Sequence, residues 1–353
     1  MAFGLFKKKE KEIPKQNTDI VSLKVNNVVK ETEDAVSIHF EHPKGEKISY
    51  KPGQFFTLIV EVNGKKERRA YSVCSSPDVD EYPAVAIKRV EGGKVSNYLN
   101  DNAKAGDIID VLLPMGNFTT DFNENNEREL VLLGGGSGIT PLMSIAKSTL
   151  IKEPKSSVTL LYANRDKDSI IFRQALKDME DKFDRFKVVH VWEENSEDKA
   201  DYTGYITSEI VAALFQGKDA SQAEVFVCGP APMMEIAIAA AKSAGVPKDK
   251  IIKESFTSDL DQVTAPTDSD EIIAREVTIH FDDEEFKYIV KPNETILEKG
   301  LDEDIDLPFS CQSGLCTACR GKCLSGKVKM DESEGLSDAE LEEGYVLPCV
   351  SHP

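Results

Sequence analysis

A chain of 353 residues, 40% of them hydrophobic, is longer than one hydrophobic core usually serves and points to two or three domains. No apolar run approaches the roughly 18 residues that would span a bilayer, and a net charge of −19 argues against nucleic acid as a partner, because phosphate binding needs clustered Lys and Arg. Five of the seven cysteines lie between Cys311 and Cys349, an odd and bunched set that favours a metal or cluster site over a disulfide framework.

The chain starts with an apolar patch, Met1 to Phe6, ahead of Lys7-Lys8-Lys9, the reverse of a secretory signal. Residues 1–20 therefore read as a solvated tail, and a cytoplasmic protein without stable membrane insertion is expected. From 21 to 122 the apolar residues fall in short runs, Leu23–Val25, Val36–Phe40, Phe55–Val60, Ala84–Ile87 and Ile108–Leu113. Turn signals at Pro52-Gly53, Asn63-Gly64 and Gly92-Gly93 divide them, as in an antiparallel barrel or sandwich.

From 123 to 258 strands at Leu130–Leu133, Val158–Tyr162, Lys187–Val191 and Glu224–Val227 alternate with helices near 140–151, 169–181 and 231–244. That alternation implies an α/β domain with a parallel sheet of the dinucleotide-binding kind. Residues 259–272 are polar, contain Pro266, and read as a linker. In 273–353, Arg275–Phe281 and Phe286–Val290 alternate like a hairpin closed over Asp282–Glu285, and a short helix follows over Thr295–Gly300. From Glu271 onward there are 19 acidic and 8 basic residues, an excess suited to solubility and to docking on a basic partner surface.

Cys311, Cys316 and Cys319, with Cys349 far downstream, space as C-x4-C-x2-C and a distant fourth thiol, which resembles plant-type ferredoxins and implies [2Fe-2S] ligation by these four. A zinc ribbon would pair two C-x2-C knuckles, and here there is one. Cys323 reads as a small buried hydrophobe on a strand leaving the loop. Ferredoxins of this type continue past the fourth cysteine into a closing strand, for which Val350 to Pro353 leave little room.

Upstream, Arg69-Ala-Tyr71-Ser72 puts a guanidinium fork and an aromatic ring on one face of a strand. Gly134-Gly-Gly136-Ser-Gly138-Ile-Thr140-Pro141 sits at a strand-to-helix turn where backbone can approach a pyrophosphate. With Gly92-Gly-Lys-Val95-Ser96, Pro114–Phe118, Cys228-Gly229-Pro230 and Lys253-Glu254-Ser-Phe256, these motifs resemble the ferredoxin–NADP reductase superfamily over about residues 22–258.

The resemblance implies a flavin β-barrel, an α/β nicotinamide domain and an α+β ferredoxin-type β-grasp domain. Arg69 would then pair with a flavin phosphate, Tyr71 would pack on the isoalloxazine, and Ser72 would lie near its N5. Val95 and Ser96 would meet the pyrophosphate, favouring FAD over FMN. Gly134, Gly135, Gly136, Gly138, Thr140 and Pro141 would hold the dinucleotide, with Gly229, Pro230 and the Cys228 thiol beside the nicotinamide. Phe256 would cover the flavin, and Glu254 would lie near the transfer point. Asn164 and Arg165 follow a parallel strand where the adenosine ribose binds, and Arg favours the 2′-phosphate of NADP(H), although Asp166 and Asp168 leave NAD(H) open.

A nicotinamide gives two electrons and a cluster accepts one, so the flavin stands between them. The order of parts resembles the reductase components of multicomponent oxygenases of the phenylacetyl-CoA epoxidase type, which implies an oxygenase component as acceptor. A reductase of an aromatic-ring dioxygenase and a redox-sensing protein without an oxygenase are the other readings.

Overall fold

A computed structural model describes residues 20–194, 199–256, 274–282, 284–292, 294–309, 312, 314, 316–331, 333 and 335–353. The expected tail up to residue 19, the linker at 259–272 and Cys311 lie outside the described residues.

Six strands, β1 (Ile20–Thr32), β2 (Ala35–Glu41), β3 (Phe55–Val62), β4 (Lys65–Ser72), β5 (Ala84–Lys88) and β6 (Ile108–Met115), build the first sheet, with α1 (Lys94–Asn102) between the last two. Their order is β4-β3-β6-β1-β2-β5, all neighbours antiparallel. A bridge between Val73 and Val85 brings the two ends of the sheet together, so it curls into a barrel. Period-two alternation sends Phe56, Leu58, Val60 and Val62 into the core and leaves Phe55 on the outer face. Strand β4 lacks any apolar run, yet it pairs with β3 along its whole length, because Asn63 and Gly64, both at positive φ, form the tight turn that sets the register.

The second sheet is parallel, in the order β10 (Tyr202–Thr203), β9 (Phe186–Trp192), β8 (Ser157–Asn164), β7 (Glu129–Gly135), β11 (Ala223–Cys228) and β12 (Ile251–Glu254). Helices α2 (Ile139–Lys152) and α3 (Arg173–Lys182) cover one face, while α4 (Ser208–Ala213) and α5 (Ala231–Ser243) cover the other. Alternate residues of β7 feed both layers, Leu130 and Leu132 one, Val131 and Leu133 the other. Helix α3 begins later than the expected 169, because Asp166 caps a 3-10 turn over Lys167–Ser169 that uses up the start of the segment.

In the third unit β13 (Arg275–Phe281) pairs antiparallel with β14 (Glu284–Val290). The turn is tighter than Asp282–Glu285, because Asp282 adopts the left-handed region, with φ 55°, and Glu284 and Glu285 already pair. Helix α6 (Ile296–Asp302) starts in a capping box of Thr295 and Glu298. Short strands β15 (Gly321–Lys322) and β16 (Lys329–Met330), helix α7 (Asp338–Glu342), and strands β17 (Tyr345–Val346) and β18 (Ser351–His352) complete it, with β15 against β17 and β16 against β18. The closing strand is therefore present in two residues, held by Ser351 Oγ donating to the Leu347 carbonyl at 2.7 Å and by His352 Nε2 at 2.8 Å from Asp331. Cys323 is half-exposed rather than buried, its Sγ turned to the Ser325 carbonyl at 3.3 Å in the loop after β15. Among the described residues no helix is long and apolar enough to cross a membrane.

Candidate active site

The barrel and the parallel sheet meet along a polar, buried seam. Ser144 Oγ donates to the Ser75 carbonyl at 2.5 Å, Ser76 and Ser148 share a hydrogen bond of 2.7 Å, and Lys147 pairs with Asp80 at 3.0 Å. The segment after Arg69-Ala-Tyr71-Ser72 is thus clasped to α2, the helix that follows the glycine turn. These serines belong to no motif; the one signal in the sequence is the pair of hydroxyls of Ser144 and Ser148 at i and i+4 on α2.

Below this seam Ser72, at the end of β4, donates its hydroxyl to Glu254 Oε2 at 3.1 Å. Both residues are buried. Cys228 ends the neighbouring strand in register with Glu254 and is wholly buried. Burial, and then the nearby Glu254 carboxylate, push its thiol well above the ordinary cysteine range, so it stays protonated. Phe256 stands two residues beyond Glu254 with its ring exposed. A cavity of about 540 Å³ is lined by Glu254 together with Phe55, Phe118, Ile252 and Lys253, and neither Tyr71 nor Cys228 lines it.

On β4, Arg69 and Tyr71 share the inner face. Burial raises the Tyr71 hydroxyl above the usual phenol range, against the opposing pull of Arg69. Arg69 lies 3.7 Å from Glu67 and donates to Gln312 Oε1 at 3.1 Å. Gly93 caps α1, so the first-turn N–H groups over Lys94–Ser96 are available to an anion. The Val95 side chain is core, and the Ser96 hydroxyl accepts from the Val90 N–H at 3.3 Å, which leaves its proton for a further acceptor.

Gly134 and Gly135 end β7, Gly136 to Gly138 form a 3-10 turn, and Thr140 and Pro141 lie in the first turn of α2. Thr140 Oγ1 donates to the Ser137 carbonyl at 3.0 Å. The turn lies directly on Cys228-Gly229-Pro230: a Cβ on Gly138 would stand 2.0 Å from the Cys228 carbonyl oxygen, so only glycine fits. Two motifs distant in sequence are one surface.

At the C-terminal ends of β8 and β9, Asn164 and Trp192 are paired in register and buried. Among the described residues, Asn164 Oδ1 and Nδ2 and Trp192 Nε1 have no hydrogen-bond partner. Buried orphan donors and acceptors at this edge suit a polar ligand. Arg165 reaches Asp34 and Ser169, each at 3.5 Å. The Asp166 carboxylate takes the Ser169 hydroxyl and N–H at 2.8 Å each, which holds it below the usual carboxylate range.

Cys316, Cys319 and Cys349 are buried within the third unit, Cys319 and Cys349 in one apolar cluster with Leu347 and Val350. Gly335 donates its N–H to the Gly314 carbonyl at 2.8 Å, and a Cβ there would meet the Cys316 backbone at 2.9 Å. Gln312 holds φ 53°, a left-handed turn that non-glycine residues adopt at a cost. Three buried thiols, Cys316, Cys319 and Cys349, are donors of the kind an iron–sulfur cluster takes, although the described residues alone do not bring them together as a ligand group. Cys316 and Ala318 pack on Phe55, Ala70 and Met115, the outer face of the barrel.

Three family models match successive parts of the chain: an oxidoreductase FAD-binding domain over residues 22–120, an oxidoreductase NAD-binding domain over 132–238 and a 2Fe-2S iron-sulfur cluster binding domain over 279–353. The chain is 35% identical over 348 residues to one of the subunits of 1,2-phenylacetyl-CoA epoxidase from Escherichia coli (strain K12), covering 95% of this chain and 96% of that protein. It is 38% identical over 346 residues to the ferredoxin reductase component of 3-ketosteroid-9-alpha-monooxygenase from Mycolicibacterium smegmatis, covering 95% and 94%. The structure of phthalate dioxygenase reductase shares the fold, with a TM-score of 0.65 and 24% identity over 94% of this chain and 95% of that one.

Proposed function

The chain belongs to the ferredoxin–NADP reductase superfamily, in the branch that carries a C-terminal [2Fe-2S] ferredoxin domain, and on that premise we propose that it feeds electrons from NADPH to an oxygenase component of the phenylacetyl-CoA epoxidase type. It is an NAD(P)H-dependent flavin and iron–sulfur oxidoreductase. FAD, when bound, takes electrons in pairs from the nicotinamide and gives them singly to the cluster.

In this reading the domains run 21–122 for FAD, 123–258 for NAD(P)H and 273–353 for the cluster. Arg69 and the α1 N-terminus, with Val95 and Ser96, bind the flavin's phosphates, and Tyr71 and Phe256 enclose its ring. Gly134 to Gly138, Thr140, Pro141, Gly229 and Pro230 form the floor for the nicotinamide half. The neutral Cys228 thiol fills the space beside it without adding charge, and the Ser72 hydroxyl, its proton donated to Glu254, presents its oxygen as an acceptor at the transfer point. Cys311, Cys316, Cys319 and Cys349 hold the cluster.

NADPH is favoured over NADH because Asp166 is spent on its own turn, while the largely exposed Arg165, 3.5 Å from Asp34, puts a cation at the ribose edge. We place the protein in the cytoplasm, where NADPH is supplied.

The observation that carries the electron route is the position of Phe55. It pairs with Ser72 across β3 and β4, and its ring packs on Cys316, so the proposed hydride site and the cluster loop share one residue between them. Holoprotein given NADPH and cytochrome c should turn over; a flavin-loaded, cluster-intact preparation that does not would defeat the reading. Reconstitution with an epoxidase oxygenase component against an aromatic-ring dioxygenase component decides the acceptor.

A further inference from the structure

Arg68 is outside every cofactor motif. It lies on β4 with its side chain on the opposite face from Arg69 and Tyr71, the face that Ala70 and Phe55 present to Cys316 and Ala318. Its guanidinium lies 4.5 Å from the centre of the Phe309 ring, and its Nη1 donates to the Phe309 carbonyl at 3.2 Å. Phe309 stands two residues ahead of Cys311. The neighbouring Arg69 takes Gln312, one residue beyond Cys311.

We propose that Arg68 is a positioning residue for the electron step between flavin and cluster: it docks the start of the cluster loop on the barrel and so fixes the distance that the electron must cross. This rests on the electron route proposed above. Only arginine can stack flat on a ring and donate in its own plane to the adjoining carbonyl; lysine keeps the charge and loses one of the two contacts. The loop it grips belongs to a segment with an excess of acidic residues, so the cation also sits on the side of favourable charge. Tunnelling falls steeply with distance, whereas hydride transfer takes place at Ser72 and Glu254 and does not pass through this contact.

The test uses holoprotein with matched FAD and iron content, carrying Arg68→Glu, Arg68→Lys or Phe309→Leu. After mixing with NADPH, flavin bleaching in Arg68→Glu should keep the wild-type rate while cluster reduction slows by about tenfold or more. Flavin fluorescence and the radius of gyration from small-angle scattering should both rise as the domain undocks, with Arg68→Lys in between. Cluster reduction and radius unchanged in Arg68→Glu would overturn the proposal, as would an equal slowing of flavin bleaching, which marks general damage to the barrel. Should Arg68→Glu fail to hold FAD, Phe309→Leu leaves the barrel intact and decides alone: wild-type cluster reduction there overturns the proposal. Failure of the electron route itself is read separately, as absence of cluster reduction in the wild-type protein.

Discussion

The Ser72 hydroxyl and the Glu254 carboxylate meet at 3.1 Å across the boundary between the barrel and the parallel sheet. Each ends a strand of a different domain, so the hydrogen bond reports the relative placement of both. Ser72→Ala removes the donor, and Glu254→Gln keeps the shape while removing the charge. Both should lower the rate of flavin reduction by NADPH roughly 10- to 100-fold, with FAD retained. Single-turnover absorbance measures this, and a wild-type rate in both variants would remove the pair from the reaction.

Gly138 is the tightest contact between the glycine turn and the Cys228 segment. Gly138→Ala must push them apart, since a Cβ would lie 2.0 Å from a carbonyl oxygen. The expected cost is about 1–3 kcal/mol of stability, seen in urea unfolding, with a raised KM for the nicotinamide substrate. Unchanged stability and KM would show that the turn can yield.

Arg165→Ala tests the choice of nicotinamide. Loss of a charge-assisted contact with a 2′-phosphate should lower kcat/KM for NADPH about tenfold or more and leave that for NADH nearly unchanged. Equal loss with both substrates would move the residue out of this role.

Glu153 is buried against Arg128, with Arg128 Nη2 to Oε1 at 2.7 Å and Nε to Oε2 at 3.0 Å. Burial alone would raise its carboxyl, but hydrogen bonds from Arg128, Asn126 and Ser156 outweigh it and hold the group below the usual range. A lowered folded value means that its stabilisation is present above about pH 4.3 and disappears as pH falls through the folded value. Glu153→Gln should cost about 1–3 kcal/mol at pH 7 and show less loss of stability between neutral and acid pH than the wild type. Thermal unfolding across that range checks the sign; parallel curves would contradict it.

The three-part architecture is legible because each part carries its own period: alternation in the barrel, strand-then-helix in the sheet, and cysteine spacing at the end. Strand β4 shows only through its turn and its Arg69-Ala-Tyr71-Ser72 ending, because five of its eight residues, Lys65 to Arg69, are charged and its stability comes from pairing with β3. The 3-10 turn ahead of α3 is hidden because Asp166 caps locally, and propensity carries no warning of it. The burial expected of Cys323 fails because its thiol turns to the Ser325 carbonyl in the loop after β15 and not into the core, a local contact that spacing does not show. The serine seam and the Arg68 contact are tertiary facts, with partners far away in the chain, and no local pattern announces them.

Arg128 has its own consequence for motion. Besides Glu153 it reaches the Thr120 hydroxyl at 2.8 Å, the Asp121 carbonyl at 3.3 Å and Glu224, so one side chain grips the chain as it leaves the barrel, the end of α2 and the start of β11. Motion between the first two domains would have to break this set of contacts. The third domain is held differently, its Cys316 and Ala318 resting on Phe55, Ala70 and Met115 at the outside of the barrel.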